Sequence, residues 1–355
     1  LIVAIVGAVT GLLADIVGLV QNYIKKILAY STISQLGYMF LALGVGAFAA
    51  GLFHVTTHAF FKALLFLGAG AVIHAMHEEQ NIQNMGGLRG HLPITYKTFL
   101  VGSIAIAGVP PLSGFFSKDE ILWKAFSSGE WMLWLMGLVG AALTAFYIFR
   151  LVSLTFEGDR RWNAGTHPHE APSTMTIVLI VLAVLSVIGG FVGIPASLGG
   201  GNAIEHWLEP IFERAHDKLE LTGHYADPIE YVLMVLSVAV AVAGIFIARM
   251  WYLRNKEIPK KLVRRFSLTY RILLNKYYVD EIYDATVVTP TVKGSEKLLW
   301  NVIDDGMIDW FVNALAKTVG GTSKVMRLVQ TGITQSYVFV FLLGVVAIIG
   351  WLIAK

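Results

Sequence analysis

The chain has 355 residues, 56% of them hydrophobic and only 14% charged, with a formal charge of +3 and no cysteine. An average soluble domain is roughly a quarter charged, so polar surface is too scarce here for a water-soluble fold, and the apolar residues gather in runs of about 20, the length that carries a helix across a bilayer core. Without cysteine the chain holds no disulfide, iron–sulfur cluster or thiolate metal site, and its basic residues collect in loops between apolar runs, a pattern of membrane topology rather than of nucleic-acid binding.

The predicted fold class is an all-α polytopic membrane protein of about eight transmembrane helices, near 1–20, 27–48, 50–75, 94–127, 131–156, 173–197, 228–253 and 333–354. Leu1 opens straight into the apolar run ending at Val20, with neither an initiator methionine nor a charged leader region. The sequence therefore reads as a piece whose N-terminal helices lie outside it. Asp15 is a lone acid in the first helix, and nothing local identifies a partner for it. Lys25 and Lys26 begin the second helix, where they read either as topology-setting charges or, for Lys25, as part of an ion path.

The third helix carries the densest chemistry. His54, His58 and Lys62 stand at i, i+4 and i+8, on one helical face, with the hydroxyls of Thr56 and Thr57 nearby. Polar side chains can simply satisfy one another between helices, and a single histidine would read that way. Three titratable groups in register are different, because an ionisable residue at mid-bilayer costs about 2.5–3.5 kcal/mol on insertion scales and marks ion pathways. Desolvation destabilises an ammonium relative to its amine, and histidine ordinarily exchanges its proton near neutral pH. A lysine–histidine ladder is therefore suited to passing protons. His54 and His58 also have the spacing of a metal pair, but no third ligand accompanies them, and no metal site is expected. His74 and His77 fall at a helix end. Met85-Gly86-Gly87-Leu88 lacks the strand context of a nucleotide loop.

The fourth span, 94–127, is too long for one plain crossing and is interrupted by Val109-Pro110-Pro111-Leu112-Ser113-Gly114. Successive prolines remove backbone donors and clash with the preceding turn, which predicts two half-helices discontinuous at Pro110-Pro111, tolerated only against protein or a wet cavity. Lys118 follows the break. It reads either as a lysine reaching for the interface, paired with Asp119 or Glu120, or as a second relay lysine beside opened backbone. His167-Pro168-His169-Glu170 lies in a loop and reads as solvated.

Walking the loops fixes an orientation. The segment 254–271 has seven Lys/Arg against one acid, which assigns it to the cytoplasm. Loops 21–26, 76–92 and 157–172 then fall on the same side, and the 198–227 loop, with only Arg214 and Lys218 among its six acids, falls opposite. Between the last two spans, 272–332 is neither apolar enough to cross nor polar enough to be disordered. From Lys293 to Val319 apolar residues recur at three- and four-residue spacing, which predicts an amphipathic helix of about 40 Å lying along the membrane or along neighbouring proteins. The predicted parts are 1–156, 157–253, 254–332 and a terminal anchor, 333–355.

Residues Gln21 to Tyr38 (QNYIKKILAYSTISQLGY), His54-xxx-His58-Ala59-Phe60-Phe61-Lys62-Ala63-Leu64-Leu65-Phe66 and Gly114-Phe115-Phe116-Ser117-Lys118-Asp119-Glu120 strongly resemble the antiporter-like membrane subunits of respiratory complex I, the proton-pumping NADH:quinone oxidoreductase. The later run Lys276 to Asp284 (KYYVDEIYD), followed by the amphipathic stretch and a final span, looks like the distal branch of that family, called L in bacteria and five in mitochondria. The resemblance covers essentially the whole chain and identifies it as the C-terminal part of such a subunit. It implies that 1–156 is the C-terminal half-channel, that Lys62 is its central lysine with His54 and His58 as connecting groups, and that Lys118 is the lysine of the discontinuous helix. Lys25 matches another lysine of the polar axis. Tyr23 departs from the pattern, standing where many relatives have an aspartate, so that position supplies no acidic partner to Lys25.

The resemblance further implies that electron transfer, with its flavin and iron–sulfur clusters, belongs to partner subunits, and that no cofactor is bound on this chain. The expected partners are other membrane-arm subunits, notably antiporter-like neighbours along the lateral helix, together with lipids and protons, and no nucleic acid. The expected location is a bacterial inner membrane or an equivalent energy-transducing membrane. Two other readings stand beside this one. The large subunit of an Mrp-type sodium/proton antiporter shares the motifs but normally adds helices beyond this kind of terminal anchor. A non-transporting scaffold would use the long helix alone.

Overall fold

Inside hydrocarbon a backbone has to satisfy its own N–H and C=O groups, and the apolar runs do so as helices. The computed structural model describes residues 1–163, 165–216 and 227–355, and within them every named element is helical. In chain order these are α1 (Ile2–Val20), α2 (Ile24–Gly44), α3 (Phe48–Ala75), α4 (Pro93–Ala107), α5 (Ser113–Ser127), α6 (Trp131–Val152), α7 (Ser173–Ile188), α8 (Ala203–His216), α9 (Asp227–Arg249), α10 (Glu257–Arg265) and α11 (Ser267–Leu274). A long helix, α12, then runs through 279–329 and α13 covers Thr334–Ala354. Among the described residues seven helices are long and apolar enough to cross a membrane; in the predicted fourth span α4 is a shorter apolar helix, separated from α5 at the proline pair. The chain is an integral membrane protein.

Several boundaries move, each for a local reason. α2 ends at Gly44 rather than near 48, because Gly46 takes a left-handed turn (φ 84°) that Val45 and Ala47 flank. α7 stops at Ile188, before the pair Gly189-Gly190, rather than near 197. α6 and α9 run on through single π turns to Glu157 and Arg254. The 198–227 stretch holds a helix, α8, that periodicity alone did not reveal; Lys218 lies outside the described residues, as does the side chain of Arg214. The basic 254–271 segment is mostly helix as well, α10 and α11, since Lys, Arg and Leu are good helix formers.

The chain divides into two units, Leu1–Tyr277 and Tyr278–Lys355. In the first, α1 and α2 pack backbone to backbone. A β-carbon on Gly37 would stand 2.6 Å from Gly11 Cα and from Gly7 O, and one on Gly44 would stand 2.1 Å from Ala4 N. Lipid tails are as apolar as leucine, so helices associate in membranes through such close fits of small residues. α3 packs against α2, α4, α5 and α7, while α6 packs against α1 and α9. The loops of one end interlock. Ile24 N donates to Gln80 O and Ile82 N to Asn22 O, both at 2.9 Å, and Tyr23 pairs with Asn81. Arg161 donates to Gln83 O (2.7 Å) and Ile82 O (3.1 Å), Arg150 to Gln21 O (2.6 Å) and the Asn22 side chain (2.7 Å), and Lys256 pairs with Asp159. Loops 21–26, 76–92, 157–172 and 254–271 thus share one end of the bundle, as the charge walk requires.

The second unit is two helices. α12 alternates α and π segments from Val279 to Val329 without a break, so it reaches well beyond the 27 or so residues expected from the apolar spacing, on the order of 70 Å. The expected periodicity covers its middle, and the helix continues unbroken into both flanks. Neither α12 nor α13 buries a residue within the unit.

Candidate functional site

The face of α3 that carries His54, His58 and Lys62 is turned inward, and all three side chains are buried. Thr57 joins them, whereas Thr56 faces outward and donates to Leu52 O of its own helix. Buried polar residues of other helices meet this face. On α2, Ser31, Ser34, Gln35 and Tyr38 recur at helical spacing and are all buried. On α5, Ser117 and Lys118 do the same.

His54 is held at both ring nitrogens. Nδ1 lies 2.9 Å from Ser117 Oγ and Nε2 lies 3.2 Å from Gln35 Oε1. Ser117 Oγ is in turn 2.7 Å from Thr57 Oγ1, either hydroxyl donating. Both partners of His54 can serve two protonation states. As an imidazolium, His54 donates at both nitrogens; as a neutral ring, it is matched by turning the Gln35 amide, whose Nε2 has no partner as it stands. A group that must gain and lose a proton needs neighbours of this kind. His58 lies next along the face, its ring centroid 6.2 Å from that of His54, and Nε2 of His58 and Nζ of Lys62 have no hydrogen-bond partner among the described residues. Lys62 Nζ is 6.0 Å from the centre of the Phe66 ring.

The proline break positions Lys118. In an unbroken helix Ile106 O would accept from the backbone N–H four residues on, but residue 110 is proline and has none. Gly108, in the left-handed conformation (φ 78°), closes α4 by returning its N–H to Ala105 O, and Val109 N returns to Ile104 O. Ile106 O is left over, and Lys118 Nζ donates to it at 3.3 Å while standing 4.7 Å from the centre of the Tyr38 ring. Lys118 is 3% exposed, which decides against a lysine reaching for the interface. Its sequence neighbours are otherwise engaged: Asp119 accepts from Ser237 of α9 (2.6 Å) and Glu120 pairs with Lys124 (3.5 Å).

Lys25 is not brought to this row; it is exposed in the first turn of α2, at the basic end. His74 and His169 face each other as exposed rings with centroids 6.4 Å apart. A cavity of about 840 Å³ also lies at the basic end, between α1, α6 and α10–α11, lined by Arg150, Arg161, Tyr252 and Phe266 and away from the buried lysines. Gln35, Ser117, Tyr38 and Asp15 are the polar members that motif reading did not assign. The first and third could have been found from the polar stripe of α2, where residues 31, 34, 35 and 38 interrupt an apolar span at three- and four-residue intervals.

Residues 1–144 match the family described as NADH:quinone oxidoreductase/Mrp antiporter, transmembrane, and residues 150–298 match a family of C-terminal transmembrane helices described under NADH dehydrogenase (complex I). The chain belongs to this family of antiporter-like membrane subunits. Among curated relatives of this antiporter-like chain, the NAD(P)H-quinone oxidoreductase chain 5 of Picosynechococcus sp. is 40% identical over 96% of the chain and 54% of its own length. The NADH-quinone oxidoreductase subunit L of Mycobacterium tuberculosis is 42% identical over 98% of the chain and 54% of its own length. The chain thus spans about half the length of the curated relatives it matches. A chain of the membrane-bound sulfane sulfur reductase, an archaeal respiratory membrane complex, has the same fold, with a TM-score of 0.58 at 24% identity over 90% of this chain and 56% of that one.

Proposed function

We propose that this antiporter-like chain is part of the distal proton-translocating membrane subunit of an NADH:quinone oxidoreductase, and that Lys62, His58, His54 and Lys118 pass protons along its interior. The observation that carries the reading is the buried row itself. Two lysines and two histidines from α3 and α5 are buried in one bundle, and the central one, His54, is held by Gln35 and by Ser117, which in turn meets Thr57, groups that both donate and accept. A hydroxyl that accepts a proton on one side and releases one on the other moves charge without moving atoms far, and the two-sided holding of His54 keeps that step open in both directions. Lys25, exposed in the first turn of α2 at the basic end, stands apart from this row.

Electron transfer belongs to partner subunits carrying flavin and iron–sulfur clusters, and its energy reaches this chain as a change of charge or contact. The partners are other membrane-arm subunits, with antiporter-like neighbours along α12. By the positive-inside rule the end bearing loops 21–26, 76–92, 157–172 and 254–271 faces the cytoplasm of a bacterial inner membrane or its equivalent, with 254–332 on that side. A sodium/proton antiporter of the Mrp type is the second reading, favoured by the breadth of the family matched over 1–144.

The test is to purify the complex with Lys62→Ala or Lys118→Ala and reconstitute it into vesicles. Flavin and iron–sulfur subunits should copurify, NADH oxidation should continue, and protons moved per electron pair should fall. Wild-type stoichiometry in a fully assembled Lys62→Ala or Lys118→Ala complex would falsify the relay. Sodium/proton exchange in a complex without redox subunits would point to the antiporter instead.

A further inference from the structure

Asp15 is a charged group of the interior that the relay leaves unused. It sits near the middle of the second half of α1 and is fully buried. One carboxylate oxygen is anchored: Oδ1 accepts from Thr144 Oγ1 at 3.1 Å and from Tyr147 OH at 3.0 Å, both on α6. The other is not. Ser34 of α2 approaches the carboxylate, but among the described residues neither Oδ2 nor Ser34 Oγ has a partner in hydrogen-bonding geometry.

The free oxygen lies toward the Tyr38 hydroxyl. A β-carbon on Gly140 would stand 2.9 Å from Asp15 Oδ2 and 2.8 Å from the Tyr38 hydroxyl, so the two groups flank one point. Tyr38 is the residue whose ring lies beneath Lys118 Nζ, and its hydroxyl donates to Gly137 O. Gly11, Gly37 and Gly137 line the small space of about 10 Å³ around the carboxylate, room for about one water molecule. The carboxylate is within electrostatic reach of both Lys62 and Lys118. The nearby acids of α5 are already committed, Asp119 to Ser237 and Glu120 to Lys124.

We propose that Asp15 is the counter-charge shared by the two lysines: its carboxylate stabilises the ammonium of Lys62 or of Lys118, whichever holds the proton. The proposal rests on the relay reading above. A proton leaves one lysine, breaking its N–H bond, and a proton arrives at the other, forming one there; Asp15 stays a carboxylate throughout and carries nothing. A buried ammonium without a counter-charge is strongly disfavoured. A carboxylate fixed by α6 at one oxygen and free at the other keeps the two lysine states close in energy. Asp15 is in this sense a positioning residue, acting through the lysines.

The experiment measures protons moved per electron pair in the intact reconstituted complex, for Asp15→Asn and Asp15→Glu beside Lys62→Ala and Lys118→Ala. Asp15→Asn keeps the acceptor for Thr144 and Tyr147 and removes only the charge. Its stoichiometry should fall as far as that of Lys118→Ala, and Asp15→Glu should recover more than half of the loss. An Asp15→Asn complex that pumps at wild-type stoichiometry while the lysine variants fall overturns the proposal and leaves the relay standing. A fall that Asp15→Glu does not recover at all marks a packing fault and overturns it too. If the lysine variants also pump normally, the relay fails and the counter-charge fails with it. Should Asp15→Asn not assemble, the smaller Asp15→Ser carries the same outcomes.

Discussion

The two units of this chain solve opposite problems. Leu1–Tyr277 folds around buried polar groups, with His54, Asp15 and Lys118 inside and leucines, valines and isoleucines on much of its outer face. Tyr278–Lys355 has no interior: α13 is apolar on every side and buries none of its residues within the unit. In water this would be an inverted protein joined to an unfolded one. In a membrane it is a division of labour, in which close packing of small residues and hydrogen bonds stabilise the first unit, while the apolar surface of α13 in the second suits lipid.

Four measurements break or sharpen that contrast. The largest effect is expected from Val312→Pro in α12, where a proline removes a backbone donor and clashes with the preceding turn, at about 3 kcal/mol. Hydrogen exchange should report loss of protection around 312 while α1–α6 stay protected. If protection is lost throughout, the two units are one. Gly37→Ala comes next. Its β-carbon would stand 2.6 Å from backbone atoms of α1 that cannot swing aside, at about 1–3 kcal/mol. Gly344→Ala in α13 meets nothing within 4 Å, and helix propensity should raise stability by up to about 1 kcal/mol. Thermal unfolding in detergent should therefore move in opposite directions for the two variants.

Ser117→Ala tests the polar interior with a smaller change. It strips a partner from His54 Nδ1 and from Thr57, at about 1–2 kcal/mol. The complex should assemble and pump slowly, whereas Thr56→Val, on the outward face, should leave pumping at the wild-type rate. Smallest is Glu79, in the loop after α3. The Asn81 backbone N–H and then the Asn84 side chain hold its carboxyl below the usual carboxylate range. A folded-state value lowered in this way stabilises the loop above the ordinary range and stops doing so as pH falls through the folded value. Proteolysis of the 76–92 loop should quicken at low pH in the wild type, and Glu79→Gln should show the quickened rate already at neutral pH.

Much of the site was legible because its members obey helical spacing. His54, His58 and Lys62 share a face by arithmetic alone, and Pro110-Pro111 had to break a helix whatever surrounded it. Gln35 and Ser117 were not legible as partners of His54, since a serine or glutamine in a span reads the same whether it faces a histidine or its own backbone. α8 escaped notice for a related reason: Glu205, Glu209 and Trp207 make a short amphipathic helix look like a polar loop.

By itself the sequence determined that the chain crosses a membrane, where it crosses, which end gathers its basic loops and which helix is broken, because those follow from length, hydropathy and the chemistry of proline. Only the tertiary structure decided what the buried charges meet. Lys118 and Lys25 are both lysines near the start of a helix, yet one is drawn inward to the carbonyl of Ile106 and the ring of Tyr38 and the other is left at the surface. Asp15 acquires its anchors from residues more than a hundred positions away. Solvation and pairing depend on neighbours brought in by packing, and no spacing rule along a single helix contains them.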